Sequence, residues 1–219
     1  MKRYVLETDK YSIEEVFGVS SNSEIMYEPN YNAMPGHTMP VIIKGDKRQM
    51  VTSTWGLDSK DSDENIYELE YEAFTKEDAK ISLKDFKPCI IPASGFYKWK
   101  ETVNDPLPFY LRVITQDVLG LAGLWNAQND SFAVLTMEAN ALVEPLNDRM
   151  PVILDPKEFE KWLSGGMADM IKNGFSGNHL LPNMSVFRVP ELVNDPSNNS
   201  KELIQPIPKL RNYDGDEED

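Results

Sequence analysis

Few side chains in this sequence combine a reactive type with a setting that could use it. The single cysteine, Cys89, sits in the apolar run Cys89-Ile90-Ile91, which reads as a buried strand and so as an inert thiol rather than a nucleophile. One cysteine excludes an internal disulfide and cannot by itself make a thiolate metal site. His37 lies in a Pro-Gly loop and His179 in a Gly-Asn loop, each without a partner at ligand spacing, so neither a metal nor a cofactor is expected. Arg3, Arg48, Arg112 and Arg149 can hold phosphates, although most surface arginines are simply solvated. Phe96, Tyr97 and Trp99 can stack on a planar ligand, yet aromatics on a strand more often fill a core. The Asp148-Arg149 pair beside Met150-Pro151 fits a salt-bridged turn as well as a phosphate contact.

The element that must position most of these groups is Pro88 to Lys100, PCIIPASGFYKWK. Its apolar run is broken by Pro92, Ser94 and Gly95 and then resumes as an aromatic strand, a pattern that turns the backbone sharply. Around it the sequence predicts a first strand over residues 1–8 and a short helix from Ser12 to Phe17, with Ser12 as N-cap. A hairpin follows, with strands Val41 to Ile43 and Gln49 to Leu57 joined by Lys44 to Lys47. Glu68 to Lys80 reads as weakly helical. Further strands are expected at Pro106 to Ile114, Leu119 to Trp125, Ser131 to Thr136 and Phe187 to Val189, with a helix from Asp155 to Trp162 led by Pro156. Short strands mixed with few helices predict an α+β fold, a single domain whose mixed, curved, barrel-like sheet is flanked by short helices.

The chain has 219 residues, 41% of them apolar, which suffices for a core without staples. No apolar window is long enough to span a bilayer and no secretory signal is evident, so no membrane contact is expected. Net charge is −14, which argues against nucleic-acid binding through bulk positive charge. The last six residues, DGDEED, hold five acids and read as a disordered tail over 214–219 behind a domain of residues 1–213. Any basic groove must therefore be local.

Several segments, in order, resemble the SOS-response-associated peptidase family, the abasic-site-processing proteins. Asn30 to Pro35 (NYNAMP) is similar to its YN-x-x-P loop, and Trp55 to Leu57 to its WGL strand. Asn65 falls on the asparagine of its NAR-x-E-T motif, and Cys89 to Trp99 resembles CLIPA-x-GFYEW. Ala122 to Trp125 matches AGLW, Leu135 to Asn140 resembles LTT-x-AN, and Asn147 to Pro151 resembles HDRMP. The resemblance implies a cytoplasmic protein that recognises abasic sites in single-stranded DNA. It also implies an N-terminal cysteine whose thiol and α-amine capture the sugar aldehyde as a thiazolidine. An asparagine, a glutamate and a histidine assist. On that basis Arg3, Asn32, Trp55, Thr136 and Arg149 are the expected DNA-binding residues, and Asn65 a retained catalytic one.

The sequence keeps that frame and departs from the chemistry. It begins Met-Lys-Arg-Tyr where the family begins Met-Cys-Gly-Arg-Tyr, so no thiol is available for a thiazolidine. Lys98 stands at the family's glutamate and Asn147 at its histidine; Tyr67 replaces the arginine of NAR-x-E-T. A lysine cannot act as a carboxylate, and an asparagine cannot shuttle protons near neutral pH. Lys2 is too large for ready removal of the initiator, so Met1 is expected to stay. Its α-amine, with an ordinary pKa of about 7.7 to 8.0, is then the residual candidate for attack on an aldehyde. The expected function is a catalytically degenerate member that binds abasic single-stranded DNA. The alternative is a scaffold repurposed to bind a protein partner.

Overall fold

At Ser94 the chain leaves one sheet and enters another. The computed structural model describes residues 2–20, 25, 27–58, 65–75, 83 and 86–208. In chain order the strands are β1 (Tyr4–Leu6), β2 (Asn30–Ala33), β3 (Thr38–Lys44), β4 (Arg48–Trp55), β5 (Glu68–Glu70), β6 (Lys87–Ala93) and β7 (Gly95–Lys100). Then come β8 (Leu107–Val113), β9 (Leu119–Asn126), β10 (Ser131–Glu138), β11 (Arg149–Pro151), β12 (Ile153–Leu154) and β13 (Met184–Arg188). The helices are α1 (Lys10–Phe17), α2 (Phe159–Lys161) and α3 (Met167–Asn173).

β6 belongs to a sheet that closes on itself. β3 and β4 form the expected hairpin, β4 runs parallel to β10, β10 pairs with β9, β9 with β6, and β6 returns to β3 through Ile42 and Ile90. Strands so joined leave no open edge inside the ring. Its strands carry large side chains such as Trp55, Phe132, Ile90 and Leu121, all without exposed surface. Burying each such side chain is worth roughly 1.5–3 kcal/mol. β7 belongs instead to a five-stranded sheet ordered β13-β8-β7-β1-β2. The glycine after Ser94 is required there, because a Cβ at Gly95 would fall within 2.5 Å of the Tyr110 hydroxyl. Ser94 secures the corner: its hydroxyl accepts from the Glu7 amide at 3.0 Å and its amide donates to the Val5 carbonyl at 2.7 Å.

The alternation of β1 sorts side chains between two cores. Tyr4 and Leu6 pack with the barrel, whereas Val5 joins Tyr97, Tyr110, Val193, Leu203 and Ile204 in a smaller cluster on the other face. The mixed α+β architecture is therefore as expected, with mostly strands in curved sheets and few short helices.

Two local expectations are corrected. The first helix begins at Lys10, and its cap is Asp9, whose Oδ1 accepts from the amides of Tyr11 and Ser12; the Ser12 hydroxyl donates to Asp9 rather than capping anything. Residues 68–80 do not form a helix as far as they are described: β5 pairs in parallel with β10, and one 3₁₀ turn, Tyr71–Phe74, follows. Sheet pairing outweighs the weak helical preference of that segment. The remainder of that segment, like the acidic tail, lies outside the described residues. At residue 155 the expectation holds in outline, for Asp155 caps the helical turn begun by Pro156 and Glu158 completes a capping box.

Candidate functional site

β1 and β7 run antiparallel in the register Tyr4 to Phe96 and Val5 to Gly95, and the Tyr97 amide donates to the Arg3 carbonyl at 3.2 Å. Extending that register brings Lys2 alongside Lys98. Here a cavity of about 360 Å³ opens, walled by Lys2, Arg3, Lys98, Trp99, Asn147 and Asn194. Glu68 and Glu101 also reach its rim, so the cations are not alone in it.

Each wall residue is held by a different element. The Arg3 guanidinium donates to Asn32 Oδ1 at 2.7 Å and to the carbonyls of Val193 at 2.6 Å and Asn194 at 3.2 Å. Asn32 is itself buried, and its amide donates to the carbonyls of Asp195 and Asn198 at 3.2 and 2.9 Å. From the interior it ties β2 to the C-terminal segment and holds the Arg3 guanidinium. Trp99 donates its indole N–H to Asn194 Oδ1 at 2.8 Å. The ring is thereby fixed as a cavity wall, while its neighbours Phe96 and Tyr97 are fully buried core.

Lys98 has only 5% of its surface exposed, an unusual place for an amine. Its Nζ donates to Asn147 Oδ1 at 2.7 Å, and the same oxygen accepts from the Arg149 amide at 3.2 Å. Burial pushes the Lys98 pKa down to about 8; Asp148 opposes the shift and Arg149 adds to it. At that value about a tenth of the amine is neutral at pH 7.

Arg149 lies one step away and in a different state. Its fork grips Glu72 with contacts of 3.0 and 2.7 Å, and Nη2 also donates to the Thr136 carbonyl at 2.8 Å. Although burial opposes it, the Arg149 hydrogen bonds hold the Glu72 carboxyl below its ordinary range. Thr136 is 1% exposed and Trp55 has no exposed surface; the Trp55 indole donates to the Tyr67 carbonyl at 2.8 Å and packs on Tyr4. Both side chains, expected as DNA contacts, therefore lie in the interior and outside the cavity lining. Asn65 is exposed beside the bridge of Leu57 to Ile66 and does not line the cavity. Met1 lies outside the described residues.

Cys89 is fully buried, and burial pushes its thiol pKa up, consistent with an inert group. Among the described residues no cluster of three or more His, Cys, Asp or Glu could hold a metal ion, and no helix is long and apolar enough to cross a membrane. Of the wall residues, the sequence singles out Trp99 only as one of three aromatics able to stack, and does not single out Asn194. Trp99 could have been separated from Phe96 and Tyr97 only by knowing where β7 leaves the core. Asn194 comes from a segment carrying no motif at all.

A family model described as SOS response associated peptidase (SRAP) matches residues 2–196. The chain is 30% identical over 224 residues to the abasic site processing protein YoqW of Bacillus subtilis, covering 93% of this chain and 98% of that one. It is 27% identical to the abasic site processing protein HMCES of Xenopus tropicalis, over 83% of this chain and 67% of that protein. Among solved structures, a protein of Bacteroides thetaiotaomicron superposes with a TM-score of 0.74 at 16% identity, covering 94% of this chain and all of that one. A phage-related protein of Bordetella bronchiseptica gives 0.69 at 19% identity, covering 87% and 95%.

Proposed function

We propose that this chain, which belongs to the SOS response associated peptidase family, binds single-stranded DNA at abasic sites through the cavity beside β1, and does so without thiol chemistry. The observation that carries the reading is the convergence of Lys2, Arg3 and Lys98 on one cavity where β1 and β7 pair. A missing base leaves a sugar and its flanking phosphates without a nucleobase to accommodate. Such a group suits a cavity near the lower end of the roughly 300–1,000 Å³ range of small-ligand sites. Trp99 offers a fixed ring to a neighbouring base. In this reading Asn32, Trp55, Thr136 and Arg149 act by holding the cavity's walls, and Asn65, exposed outside the cavity lining, takes no part in it.

Fluorescence anisotropy with matched single strands, one carrying an abasic site, tests the proposal. We expect tighter binding of the abasic strand and a shallow salt dependence reflecting about two or three phosphate contacts. Equal or undetectable binding of both strands overturns it. A second reading, a protein partner on a repurposed scaffold, is favoured by the engagement of Arg149 with Glu72 and by the net charge of −14. The same measurement separates the two, because that reading expects no salt-dependent binding of either strand.

A further inference from the structure

We propose that Lys98 is itself a carbonyl-capturing residue, its ε-amine condensing with the ring-opened aldehyde of an abasic deoxyribose to form an imine in the cavity beside β1. This deepens the binding reading given above and rests on it for the source of the aldehyde.

The geometry is that of an amine placed for reaction rather than for charge pairing. Lys98 reaches the cavity from β7, and among the described residues its Nζ donates to one acceptor, the neutral Asn147 Oδ1 at 2.7 Å. An ammonium has three N–H donors, and after proton loss the nitrogen has a lone pair that an amide oxygen does not consume. A structural lysine would instead be expected against a carboxylate, as Arg149 is against Glu72 with both oxygens engaged. Burial of the amine makes the neutral form accessible near neutral pH. The charged groups facing it are Asp148 and Arg149 from the turn that carries Asn147, Lys2 and Arg3 from the N-terminal segment, and Glu68 and Glu101 at the rim. Arg3, locked in place by Asn32 and the Val193 carbonyl, supplies a fixed positive charge for a flanking phosphate.

The step balances without an oxidant or metal. The neutral amine adds its lone pair to the aldehyde carbon, the carbonyl π pair moves to oxygen, and that oxygen takes a proton from nitrogen. The nitrogen lone pair then closes the C=N bond as the hydroxyl leaves, and the remaining N–H proton passes to that hydroxide, giving water and the neutral imine. Asn147 cannot serve as a base, so its part is to orient the amine. Lys2, exposed on the surface, lacks such positioning.

The test is borohydride trapping of the full-length protein on an abasic single strand, with the modified peptide mapped by mass spectrometry. In parallel, 2-deoxyribose 5-phosphate serves as a small aldehyde independent of DNA binding. We expect a reduced adduct on Lys98 with both probes, greater yield as pH rises from 7 to 9, and loss of at least about tenfold with Lys98→Arg, whose guanidinium retains charge but is a poor nucleophile. Thermal unfolding of the variant verifies that it folds; if it does not, the position of the wild-type adduct decides alone. An adduct confined to Met1 or Lys2, or no adduct with either probe, overturns the inference. Abasic-strand binding without an adduct leaves the binding function standing and removes Lys98 capture. An adduct of the sugar phosphate on Lys98 without strand binding does the reverse.

Discussion

Two cations from adjacent corners of the molecule are kept in opposite ways. Arg149 is wrapped by Glu72 and the Thr136 carbonyl, so its charge is spent inside the protein. Lys98, linked to it through the shared Asn147 oxygen, faces an uncharged amide and a cavity. Residue type alone would rank the arginine as the better phosphate ligand. The difference teaches that a buried cation's availability is set by what already neutralises it. It also predicts unlike costs, since the first arrangement stabilises the fold and the second opposes it.

The sharpest test of this contrast is Lys98→Met. Below pH 8 Lys98 is protonated folded and unfolded alike, and burying the charge costs the folded state up to about 3 kcal/mol for a pKa lowered from 10.5 to about 8. Between about pH 8 and 10.5 the unfolded chain binds the extra proton, so wild-type stability rises with pH and the cost fades. Urea unfolding should therefore show Lys98→Met more stable than wild type at pH 7, with the gap closing by pH 10. A pH-independent difference breaks the contrast.

Glu72→Ala should move stability the other way, by about 2 kcal/mol, because it leaves the half-buried Arg149 without a carboxylate. Adding Arg149→Met to Glu72→Ala should recover much of that loss; a loss that persists in the double variant shows that Glu72 acts through other contacts. The smallest effects belong to binding. Lys98→Met should weaken affinity for an abasic single strand by about fivefold, near 1 kcal/mol, and Arg149→Met by less than about twofold. Reversed ranks in an anisotropy titration would return Arg149 to the phosphate-binding set.

Much of the fold was legible in the sequence because strands announce themselves by apolar runs and turns. The β3–β4 hairpin and the break at Ser94-Gly95 carried those signals, and Asp155-Pro156 carried the helix start. β5 was not legible, since Glu68–Glu70 becomes a strand only through β10, more than sixty residues on. The site divides similarly. The exchange of a glutamate for Lys98 and of a histidine for Asn147 could be read at once, but not that the two replacements bond to each other. Matching a family motif also could not separate contact from support: Trp55 and Thr136 lie in the interior, where a motif persists for packing as readily as for recognition.

The corner at Ser94 has a consequence for the order in which the molecule can assemble. β1 emerges first from the ribosome, yet its partner Phe96 lies more than ninety residues later, and Arg3 meets Val193 only across 190 residues. The barrel hairpin of β3 and β4 closes over a short loop, whereas the cavity requires closures across more than ninety and 190 residues. One edge of the N-terminal strand can pair early with β2, but its other edge stays open until β7 has been made. The cavity is a late product of folding, completed when the C-terminal segment docks on Asn32 and Arg3. A nascent chain then cannot present a formed site to DNA before nearly all of it has been made.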